Sequence, residues 1–593
     1  MRVVDAIAQW FEDAGVTHYF GYAGGGVWPF MDALVDYPQI EGIQAKHESH
    51  AVHMADVYYR TLGRLAPVLV SKGPGLMNTA GAVASAMHDS AAVLVLAGAG
   101  STHVLGRGGM QEMYYKGFED AVSVFRPITK GAWMVVRPDT VIDVLNVAYK
   151  TAVEGRPGPV FVQVPFDVQL APVELASDRL EVPSSRIAVA GSRPNRAAMA
   201  EVARLLETAQ RPVLVAGGGC KLSRGAAESL RRVVDQLEIP VATSLMAKGV
   251  LPEDHPCSMG PVGRSGTDVA AKATRDADLV IAVGARFSDN HTSNWRRGLI
   301  YDFPRTRLVH VDADSNEIGR NYPVDVGIVA DATAFLDDLA DHTDGSGGRW
   351  QQWLDEVDVA RRDWQAKIAP VLCSSADPIH PGRLCHEVGE ALAPDGRVLI
   401  DVGDIIQYAE PYMTIRRPDS WLINAGMAEM TWATTGSLGA AAAEPTRPVV
   451  VVTGDGAFNM SSNILATAVE YQLPVVWVVV NNHELGIERK GAQVAFQRVH
   501  PWTRFVRKDT GKPYNPDYTM LANANGALGE HIESAADFAS ALKRAIASRQ
   551  PYVIDVSIDL TVPTFFTEGV DRAYPANWSG SYPMHSSLRV AGS

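Results

Sequence analysis

Residues 449–458 read VVVVTGDGAF and residues 473–487 read LPVVWVVVNNHELGI, so two apolar runs each end in polar residues. Runs that are apolar at every position are typical of parallel strands buried on both faces. The intervening residues 459–471 have the length of a crossover helix, which places the second strand beside the first. The sequence therefore predicts that Gly454-Asp455-Gly456 and Asn481-Asn482 emerge together at the carboxyl edge of a sheet, where open α/β sheets bind ligands.

These two strand ends have the chemistry of a Mg²⁺–diphosphate site. Asp455 and Asn482 supply side-chain oxygens, while Gly454 and Gly456 let backbone N–H groups approach a phosphate closely. Mg²⁺ prefers few protein ligands and many phosphate or water oxygens. The alternative is an ordinary strand–helix turn in which Asp455 caps the helix and Asn482 stands nearby by chance. Two strands with matched polar ends favour the ligand site over that alternative.

The overall composition limits the class of protein. At 593 residues the chain is too long for one core, and about three domains are expected. Hydrophobic residues make up 47% and charged residues 20%, and the net charge of −14 argues against a nucleic-acid partner. The four cysteines lack metal-ligand spacing and are typical of free thiols in a reducing cytosol. With neither a signal sequence nor an apolar stretch of bilayer length, we expect a cytoplasmic enzyme without a membrane partner.

Alternating helix and strand patterns divide the chain into blocks at 1–180, 190–340 and 375–560. Each block predicts a parallel sheet with helices on both faces, so the expected fold class is α/β with three doubly wound domains. The first and third blocks have the same rhythm and are expected to share one plan. The tail, 561–593, is rich in Pro, aromatic residues, Gly and Ser. It is too apolar for a disordered tail, and we expect it to pack on the protein.

A second candidate site lies in QAKHESHAVHMADVYYR at 44–60, where a predicted strand gives way to a helix. Glu48 stands at that junction. From the residues alone it has the commoner role of a first-turn carboxylate stabilised by the helix dipole.

Together the two sites resemble those of the thiamine diphosphate (ThDP) enzymes. GDG, about two dozen residues and then NN resembles the diphosphate-binding signature of that family, and the His47-Glu48 motif resembles its catalytic glutamate motif. The resemblance implies that Asp455, Asn482 and the backbone carbonyl of Glu484 hold Mg²⁺. It also implies that Glu48 is buried and hydrogen-bonds the aminopyrimidine N1′, which activates the cofactor.

Further motifs resemble the acetolactate synthase group. They are GYAGGGVWPFMDAL (21–34), SKGPGLMNTAGAVASAMHDS (71–90) and LGRGGMQEM (105–113). The resemblance implies an amide from Gln111 near the reacting carbon of ThDP, although Gln111 alternatively caps a loop. It implies a bulky apolar wedge, Met430, that bends the cofactor. The remaining implied ThDP contacts are Gly24, Gly25, Gly73, Asn78, Gly403, Gly454, Gly456, Ala457, Leu485 and Gly486.

The middle block resembles the central domain of acetolactate synthases and their relatives through GGGCKLSRGA (217–226), VGARFSDN (283–290) and VDADSNEIGR (311–320). That resemblance leaves three alternatives: the domain binds FAD, binds ADP, or is a structural domain with an empty crevice. The implied adenine-nucleotide contacts are Arg286, Asp312, Asp314 and Asp331, together with the glycines 217–219.

Departures from the acetolactate synthase pattern decide the expected substrate. NAGMAEMTWATTGSLGAA (424–441) stands where that group has a Gly-rich, Pro-containing run. HELGIERKGAQ (483–493) replaces an apolar run and a tryptophan of that group. Glu488 stands where relatives place an apolar residue facing the reacting carbon. As a base on a substrate hydroxyl it would drive retro-acyloin cleavage. The alternative is a solvated helix residue paired with Arg489 or Lys490.

The sequence therefore favours a 2-hydroxyacyl-CoA lyase, which cleaves its substrate to a carbonyl compound and formyl-CoA. The alternative is an acetolactate synthase-like 2-oxo acid decarboxylase or carboligase. The basic cluster RFVRKDTGK (504–512) would serve CoA phosphates, or, as the favoured alternative, is a solvated surface loop. By resemblance the tail 561–593 is a lid. The protein is then a homodimer or homotetramer, with Glu48 of one subunit meeting the GDG site of another.

Two other classes of protein make different demands on the sequence. A non-catalytic ThDP-fold protein or nucleotide sensor would require Glu48 to be dispensable. An NAD-dependent dehydrogenase would require a GxGxxG turn that opens a helix after a strand, and no such turn occurs.

Overall fold

The computed structural model describes residues 1–114, 120–174, 191–345, 347–392, 395–496, 498–559 and 561–563. These residues form three six-stranded sheets, and every paired strand runs parallel to its neighbour. Helices flank each sheet, so the predicted α/β class with three doubly wound domains is confirmed. Most of the polar linker after 174 and the tail from 564 onward lie outside the described residues.

The three sheets follow one another along the chain. The first contains β1 His18–Gly21, β2 Glu41–Gln44, β3 Pro67–Val70, β4 Leu94–Ala99, β5 Gly131–Met134 and β6 Val160–Pro165. The second contains β7 Pro212–Ala216, β8 Val241–Thr243, β9 Ser258–Pro261, β10 Leu279–Val283, β11 Arg307–Asp312 and β12 Val326–Val329. The third contains β13 Arg397–Ile400, β14 Trp421–Ile423, β15 Val449–Gly454, β16 Val475–Asn481, β17 Leu528–Ile532 and β18 Tyr552–Ser557.

Helices alternate with these strands. The first domain has α1 Val3–Asp13, α2 Trp28–Leu34, α3 Glu48–Leu62, α4 Pro74–Met77, α5 Ala80–His88, α6 Asp120–Phe125, α7 Val141–Val153 and α8 Phe166–Leu170. The second has α9 Arg196–Thr208, α10 Gly219–Leu222, α11 Ala226–Leu237, α12 Asp268–Asp276, α13 Asp289–Thr292 and α14 Ala332–His342, followed by the connecting α15 Gln351–Leu372. The third has α16 Pro381–Leu392, α17 Ile405–Tyr412, α18 Trp432–Ala443, α19 Asp455–Ser461, α20 Ile464–Glu470, α21 Gly486–Phe496, α22 Tyr518–Ala524 and α23 Ala535–Ser548.

Strand order shows that the first and third domains share one plan. The first sheet runs β2-β1-β3-β4-β6-β5 and the third runs β14-β13-β15-β16-β18-β17, which is the same order counted from each domain's first strand. The middle sheet runs β12-β11-β10-β7-β8-β9. Counted in the same way, its order is that of dinucleotide-binding sheets, with the reversal point between β10 and β7.

The apolar runs of the third domain form its core, as their patterning predicts. Val449 to Val452 on β15 and Val475 to Val480 on β16 are buried, and the two strands pair in register from Val449 with Val475 to Gly454 with Val480. Burying both faces of these strands removes apolar area from water, the main favourable term in folding. The same register brings the polar ends of both strands to one edge.

The first and third domains pack together through α3 and α18. A Cβ atom built on Gly439 would lie 2.0 Å from the backbone oxygen of Met54, so only glycine allows the helices to approach this closely. Asp56 on α3 accepts hydrogen bonds from Trp432 Nε1 at 3.0 Å and from Arg60 Nε at 2.5 Å. These buried charges are paired and hydrogen-bonded, as burial requires.

None of the helices in the described part of the chain is both long enough and apolar enough to span a membrane.

Candidate cofactor site

The carboxyl edge of the third sheet holds the polar ends of β15 and β16. Asp455, the first residue of α19, is 1% exposed, and its Oδ1 accepts a hydrogen bond from the backbone N–H of Gly456 at 2.9 Å. Burial raises the pKa of Asp455 to about 6, opposed by hydrogen bonds from Asn515 and from backbone groups of His483, Gly456 and Asn482. The strands β15 and β16 thus deliver a buried carboxylate and an amide to one place.

The backbone of Glu484 contacts the side-chain amide of Asn482. The neighbouring residues form an antiparallel bridge, with Leu485 N–H donating to Thr503 O and Phe505 N–H donating to His483 O, both at 2.8 Å. In this pairing the N–H and C=O of Glu484 itself point away from the bridge. The N–H of Glu484 donates to Asn482 Oδ1 at 3.0 Å, which places its carbonyl on the same side as Asn482.

Glycines leave open or closely packed space beside these groups. A Cβ atom built on Gly454 would meet nothing within 4 Å. One built on Gly456 would lie 2.8 Å from Leu485 Cδ2 and 3.3 Å from Met430 Cε, so three of the expected cofactor contacts come together. Gly486 lies between Asp404 Oδ2 and Asn482 Nδ2, which a Cβ atom built there would approach to 2.8 and 2.9 Å. This edge thus has open space at one glycine, with apolar, amide and carboxylate side chains around the other two.

The remaining expected contacts of this domain lie at the same sheet edge. Gly403 follows β13 with a φ of 143°, and Ala457 is buried in the first turn of α19. In the described residues no three His, Cys, Asp or Glu side chains converge as a metal cluster. A cation at this edge would therefore be held by one carboxylate with amide, carbonyl and ligand oxygens, the donor set that suits Mg²⁺.

In the first domain Glu48 begins α3 and is buried, as expected. The amide Nδ2 of Asn78 donates to Glu48 Oε2 at 2.9 Å, and Gly75 lies close to Glu48 Oε1. The preceding residue, His47, caps the helix by accepting a hydrogen bond from the N–H of Ser49. Two of the residues expected at the cofactor, Glu48 and Asn78, are therefore in direct contact.

The glycine loops of the first domain surround Glu48. Gly73 has a φ of 55°, and a Cβ there would lie 2.2 Å from the backbone oxygen of Gln111. The side chain of Gln111 is exposed. A Cβ on Gly24 would lie 2.6 Å from Ser71 Cβ, and Gly25 packs beside Trp28. Three loops of this domain are thus in close contact: the loops that follow β1 and β3, and the loop that carries Gln111.

Glu48 and Asp455 have different partners within one chain. Lys46, two residues before Glu48, contacts α20, and its Nζ pairs with Glu470 at 2.5 Å. Its carbonyl lies 3.5 Å from Asn463 Nδ2, just before α20. In the part of the chain that the structure describes, no hydrogen bond joins Glu48 to Asp455.

The central domain opens onto a cavity of about 1200 Å³ that all three domains line. Arg286, Asp312 and Asp331 border it, as do Gly218 and Gly219. Arg286 Nη1 donates to His88 O at 2.7 Å, and burial raises the pKa of Asp312 to about 6. Asp331 instead caps α14, with Oδ1 accepting from the N–H of Ala334 at 3.1 Å. Of the expected nucleotide contacts, Gly217 and Asp314 are not among the residues that line this cavity, and Asp331 has a structural role there.

Glu488 lies in the first turn of α21 and is exposed. Both cations that were expected beside it pair with other carboxylates: Arg489 with Glu484 at 2.6 Å, and Lys490 with Asp404 at 2.6 Å. The structure thus gives each of these two cations a carboxylate partner outside α21. In the basic cluster 504–512, Arg507 pairs locally with Asp509 at 2.9 Å.

The sequence patterns gave no indication of Asn515. Its Nδ2 donates to Asp455 Oδ2 at 2.8 Å, although the two residues are sixty positions apart. The only sequence signal nearby was a turn, because Asn515-Pro516 precedes Asp517, which caps α22. That signal does not predict contact with a residue in the GDG motif.

Fold and site together define an α/β enzyme that binds a diphosphate-bearing cofactor at the carboxyl edge of a parallel sheet. Three family models match the chain: "Thiamine pyrophosphate enzyme, N-terminal TPP binding domain" at 1–120, the "central domain" at 199–339 and the "C-terminal TPP binding domain" at 401–556.

Curated relatives are similar over nearly the whole chain. The probable acetolactate synthase large subunit of Methanocaldococcus jannaschii is 33% identical over 570 residues, covering 94% of this chain and 92% of that protein. The corresponding protein of Methanococcus aeolicus is 32% identical, covering 94% and 92%. The acetolactate synthase isozyme 3 large subunit of Escherichia coli K12 is 30% identical, covering 96% and 95%. The chain belongs to the thiamine pyrophosphate enzyme family, as an acetolactate synthase-like, ThDP-dependent member.

Proposed function

We propose that this enzyme uses ThDP and Mg²⁺ to decarboxylate a 2-oxo acid and to join the resulting acyl unit to a second carbonyl compound. The observation that carries the proposal is the carboxyl edge of the third sheet, where Asp455 and Asn482 follow paired strands beside the open space at Gly454. The substrate class is supported by relatives named as acetolactate synthases, which align over more than nine-tenths of the chain. This is the alternative activity of the sequence analysis, and the relatives support it better than the lyase.

Each group of residues has a separate task. Asp455 Oδ, Asn482 Oδ1 and Glu484 O would hold the cation, and backbone N–H groups near Gly454 and Gly456 would hold the diphosphate. When bound, ThDP would supply the electron sink for cleavage of the carbon–carbon bond. Glu48 would hold a proton for the aminopyrimidine, and Asn78 keeps the Glu48 carboxylate in place. Met430 and Leu485 would contact the cofactor, and Gln111 would offer its amide to the reacting groups.

The substrate panel is the direct test of this activity. The purified enzyme with ThDP and Mg²⁺ is incubated with single and paired 2-oxo acids and, separately, with 2-hydroxyacyl-CoAs, and products are identified by mass spectrometry. The proposal expects carbon dioxide and a 2-hydroxy-2-alkyl-3-oxo acid or an acyloin from 2-oxo acids. Turnover of hydroxyacyl-CoA alone would contradict it.

A 2-hydroxyacyl-CoA lyase is the second candidate, because Glu488 is an exposed acid whose two neighbouring cations are engaged with other carboxylates. An exposed carboxylate on α21 is available as a base on a substrate hydroxyl. Glu488→Ala tests this candidate, with the exposed Glu533→Ala as control. Cleavage of hydroxyacyl-CoA that survives in Glu488→Ala at the parental rate would remove the lyase.

We propose that the central cavity binds an adenine nucleotide, ADP or FAD. Its support is the strand order of the middle sheet, with Gly218 and Gly219 at the end of the first of its strands and Arg286 facing the cavity. Absorbance near 450 nm of the purified protein, before and after FAD is added, separates FAD from ADP. Calorimetric titration with ADP tests the second alternative. No binding of either would leave the domain with a structural role.

We also propose that the active site forms between subunits of a homodimer or homotetramer. The proposal is supported by the lack of any hydrogen bond between Glu48 and Asp455 within the described part of one chain. The first domain exposes Tyr22, Trp28, Met31 and Val35 beside the Gly24–Gly25 loop, and contiguous exposed apolar residues are typical of a protein interface. In this proposal residues 1–180 bind the pyrimidine end of ThDP, 190–340 the nucleotide and 375–560 the diphosphate. The tail, 561–593, was expected to be a lid, and from 564 onward it lies outside the described residues.

A further inference from the structure

A neutral amide lies against the proposed metal ligand. Asn515 Nδ2 is 2.8 Å from Asp455 Oδ2, 2.8 Å from Asn481 Oδ1 and 3.1 Å from His483 Nδ1. Its Oδ1 accepts a hydrogen bond from Asn459 Nδ2 at 3.1 Å. One side chain therefore contacts the GDG motif, the NN motif and the residue next to Glu484.

The amide of Asn515 is suited to orient Asp455, because an N–H donor binds the carboxylate and does not itself bind the metal. Asp455 is buried, and a buried carboxylate is costly unless its oxygens are hydrogen-bonded. Gly456 N–H donates to Oδ1 and Asn515 donates to Oδ2, which fixes the plane of the carboxylate. Backbone groups of His483 and Asn482 also donate to this carboxylate, so its orientation is set from several sides. A lysine at 515 would repel that cation, and an aspartate would have no proton to donate.

Asn515 ends a segment that also positions the Glu484 carbonyl. We call residues 503–515 the flanking segment. Its start forms the antiparallel bridge that turns the backbone C=O of Glu484 toward Asn482. Its end is tied to its start by a hydrogen bond from Tyr514 N–H to Phe505 O at 3.0 Å. One segment therefore fixes two groups of the proposed metal site, the carbonyl through backbone pairing and the carboxylate through Asn515.

We infer that Asn515 is a positioning residue for Mg²⁺: its amide orients Asp455 for coordination, and it does so from the flanking segment that orients Glu484. This inference rests on the proposed Mg²⁺ site. The basic cluster 504–512 lies inside the flanking segment. Its role in this inference is to be part of the backbone that positions Glu484 and Asn515, and that role does not depend on CoA.

The test is calorimetric titration of Mg²⁺ into the full-length enzyme in the presence of ThDP, for the wild type and for Asn515→Leu. Leucine has a similar size and no donor. Loss of an outer contact to a metal ligand typically costs about 10–100-fold in metal affinity, and we expect a loss in that range. Turnover of Asn515→Leu should recover at high Mg²⁺, because the ligands remain and only their orientation is weakened. A general folding defect would not recover in this way.

Asn459→Ala is the matched control, since it removes the contact to Asn515 Oδ1 and leaves the amide donors in place. We expect its Mg²⁺ affinity to stay close to that of the wild type. If Asn515→Leu does not fold, judged by its unfolding midpoint without metal, Asn515→Ala is measured in its place. An affinity of the substituted enzyme equal to that of the wild type would overturn the inference and leave the metal site standing. A wild type that binds ThDP without any divalent cation would overturn the metal site itself.

Discussion

The first and third domains have the same strand order, yet they place different chemistry at the same edge of the sheet. In the third domain the acid follows the third strand: Asp455, the middle residue of the GDG turn, comes directly after β15. In the first domain the corresponding strand, β3, is followed by Gly73-Pro74-Gly75 without an acid, and the acid is Glu48, after the second strand. The strand corresponding to β2 in the third domain, β14, leads instead to Met430.

This difference shows that the shared fold does not determine the function of either domain. The first and third sheets have equivalent carboxyl edges, and the loops after their strands carry different residues. One edge has an acid for a cation, glycines for a diphosphate and an apolar wedge. The other has glycines that surround a buried carboxylate held by an amide. The two sets of groups complement each other, and one cofactor that has a charged end and an aromatic end would use both.

Removing the acid from the third domain should have the largest effect. Asp455→Ala deletes a proposed ligand of Mg²⁺, so we expect it to abolish Mg²⁺-dependent ThDP binding and turnover. The loss should exceed the roughly 10–100-fold that follows from losing an outer contact to a ligand. Titration of ThDP with Mg²⁺ measures it, and Glu533→Ala, an exposed acid in the same domain, is the control. If Asp455→Ala still binds ThDP, the proposal that the third domain holds Mg²⁺ and the diphosphate through Asp455 is wrong.

Removing the acid from the first domain should separate binding from turnover. Glu48→Gln keeps the size and the hydrogen-bonding capacity of the side chain but cannot hold the proton in the same way. We expect turnover to fall by about 10²–10⁴-fold, the usual share of general acid–base catalysis, while ThDP and Mg²⁺ still bind. Glu41→Gln, on the exposed part of β2, should have neither effect. Unchanged turnover in Glu48→Gln would indicate a structural role for that carboxylate.

The smallest expected effect is on the pH dependence of stability. It concerns α17 of the third domain, which borders the central cavity. Glu410 is buried there, and burial raises its pKa from 4.5 to about 8. Between these values the folded protein holds a proton that the unfolded chain has released, so stability falls as pH rises through this window and levels off above it. The slope from this group is at most about 1.4 kcal/mol per pH unit.

Glu410→Gln removes that titration, so we expect the variant to lose less stability than the wild type between pH 5 and pH 8. Urea unfolding midpoints at several pH values measure the difference. Glu390→Gln, an exposed glutamate of the same domain, should follow the wild type. Parallel curves for Glu410→Gln and the wild type would mean that Glu410 is ionised in the folded protein.

Much of the fold was predictable because its signals are local in sequence. The all-apolar runs of β15 and β16 specify buried parallel strands, and the distance between them specifies a crossover helix. Once those strands pair in register, Asp455 and Asn482 must reach the same edge. The twin plan of the first and third domains could also be predicted, since both follow the same alternation of helix and strand.

The parts that could not be predicted depend on packing between distant segments. Asn515 reaches Asp455 only because the flanking segment pairs with residues 483–485, and no local pattern encodes that pairing. The way the first and third domains pack likewise depends on distant contacts, the ion pair of Lys46 with Glu470 and the close approach of Gly439 to Met54. The partners of Arg489 and Lys490 likewise depend on where Glu484 and Asp404 lie in space.

The central claim is that one ThDP site combines Glu48 of one subunit with Asp455 of another, and complementation between two inactive variants tests it most directly. Glu48→Gln and Asp455→Ala are co-expressed with different affinity tags, and the mixed oligomer is purified through both tags. If sites form between subunits of a dimer, one of its two sites combines both intact residues, and we predict about half of the wild-type turnover per dimer. A mixed oligomer as inactive as each variant alone would contradict the claim.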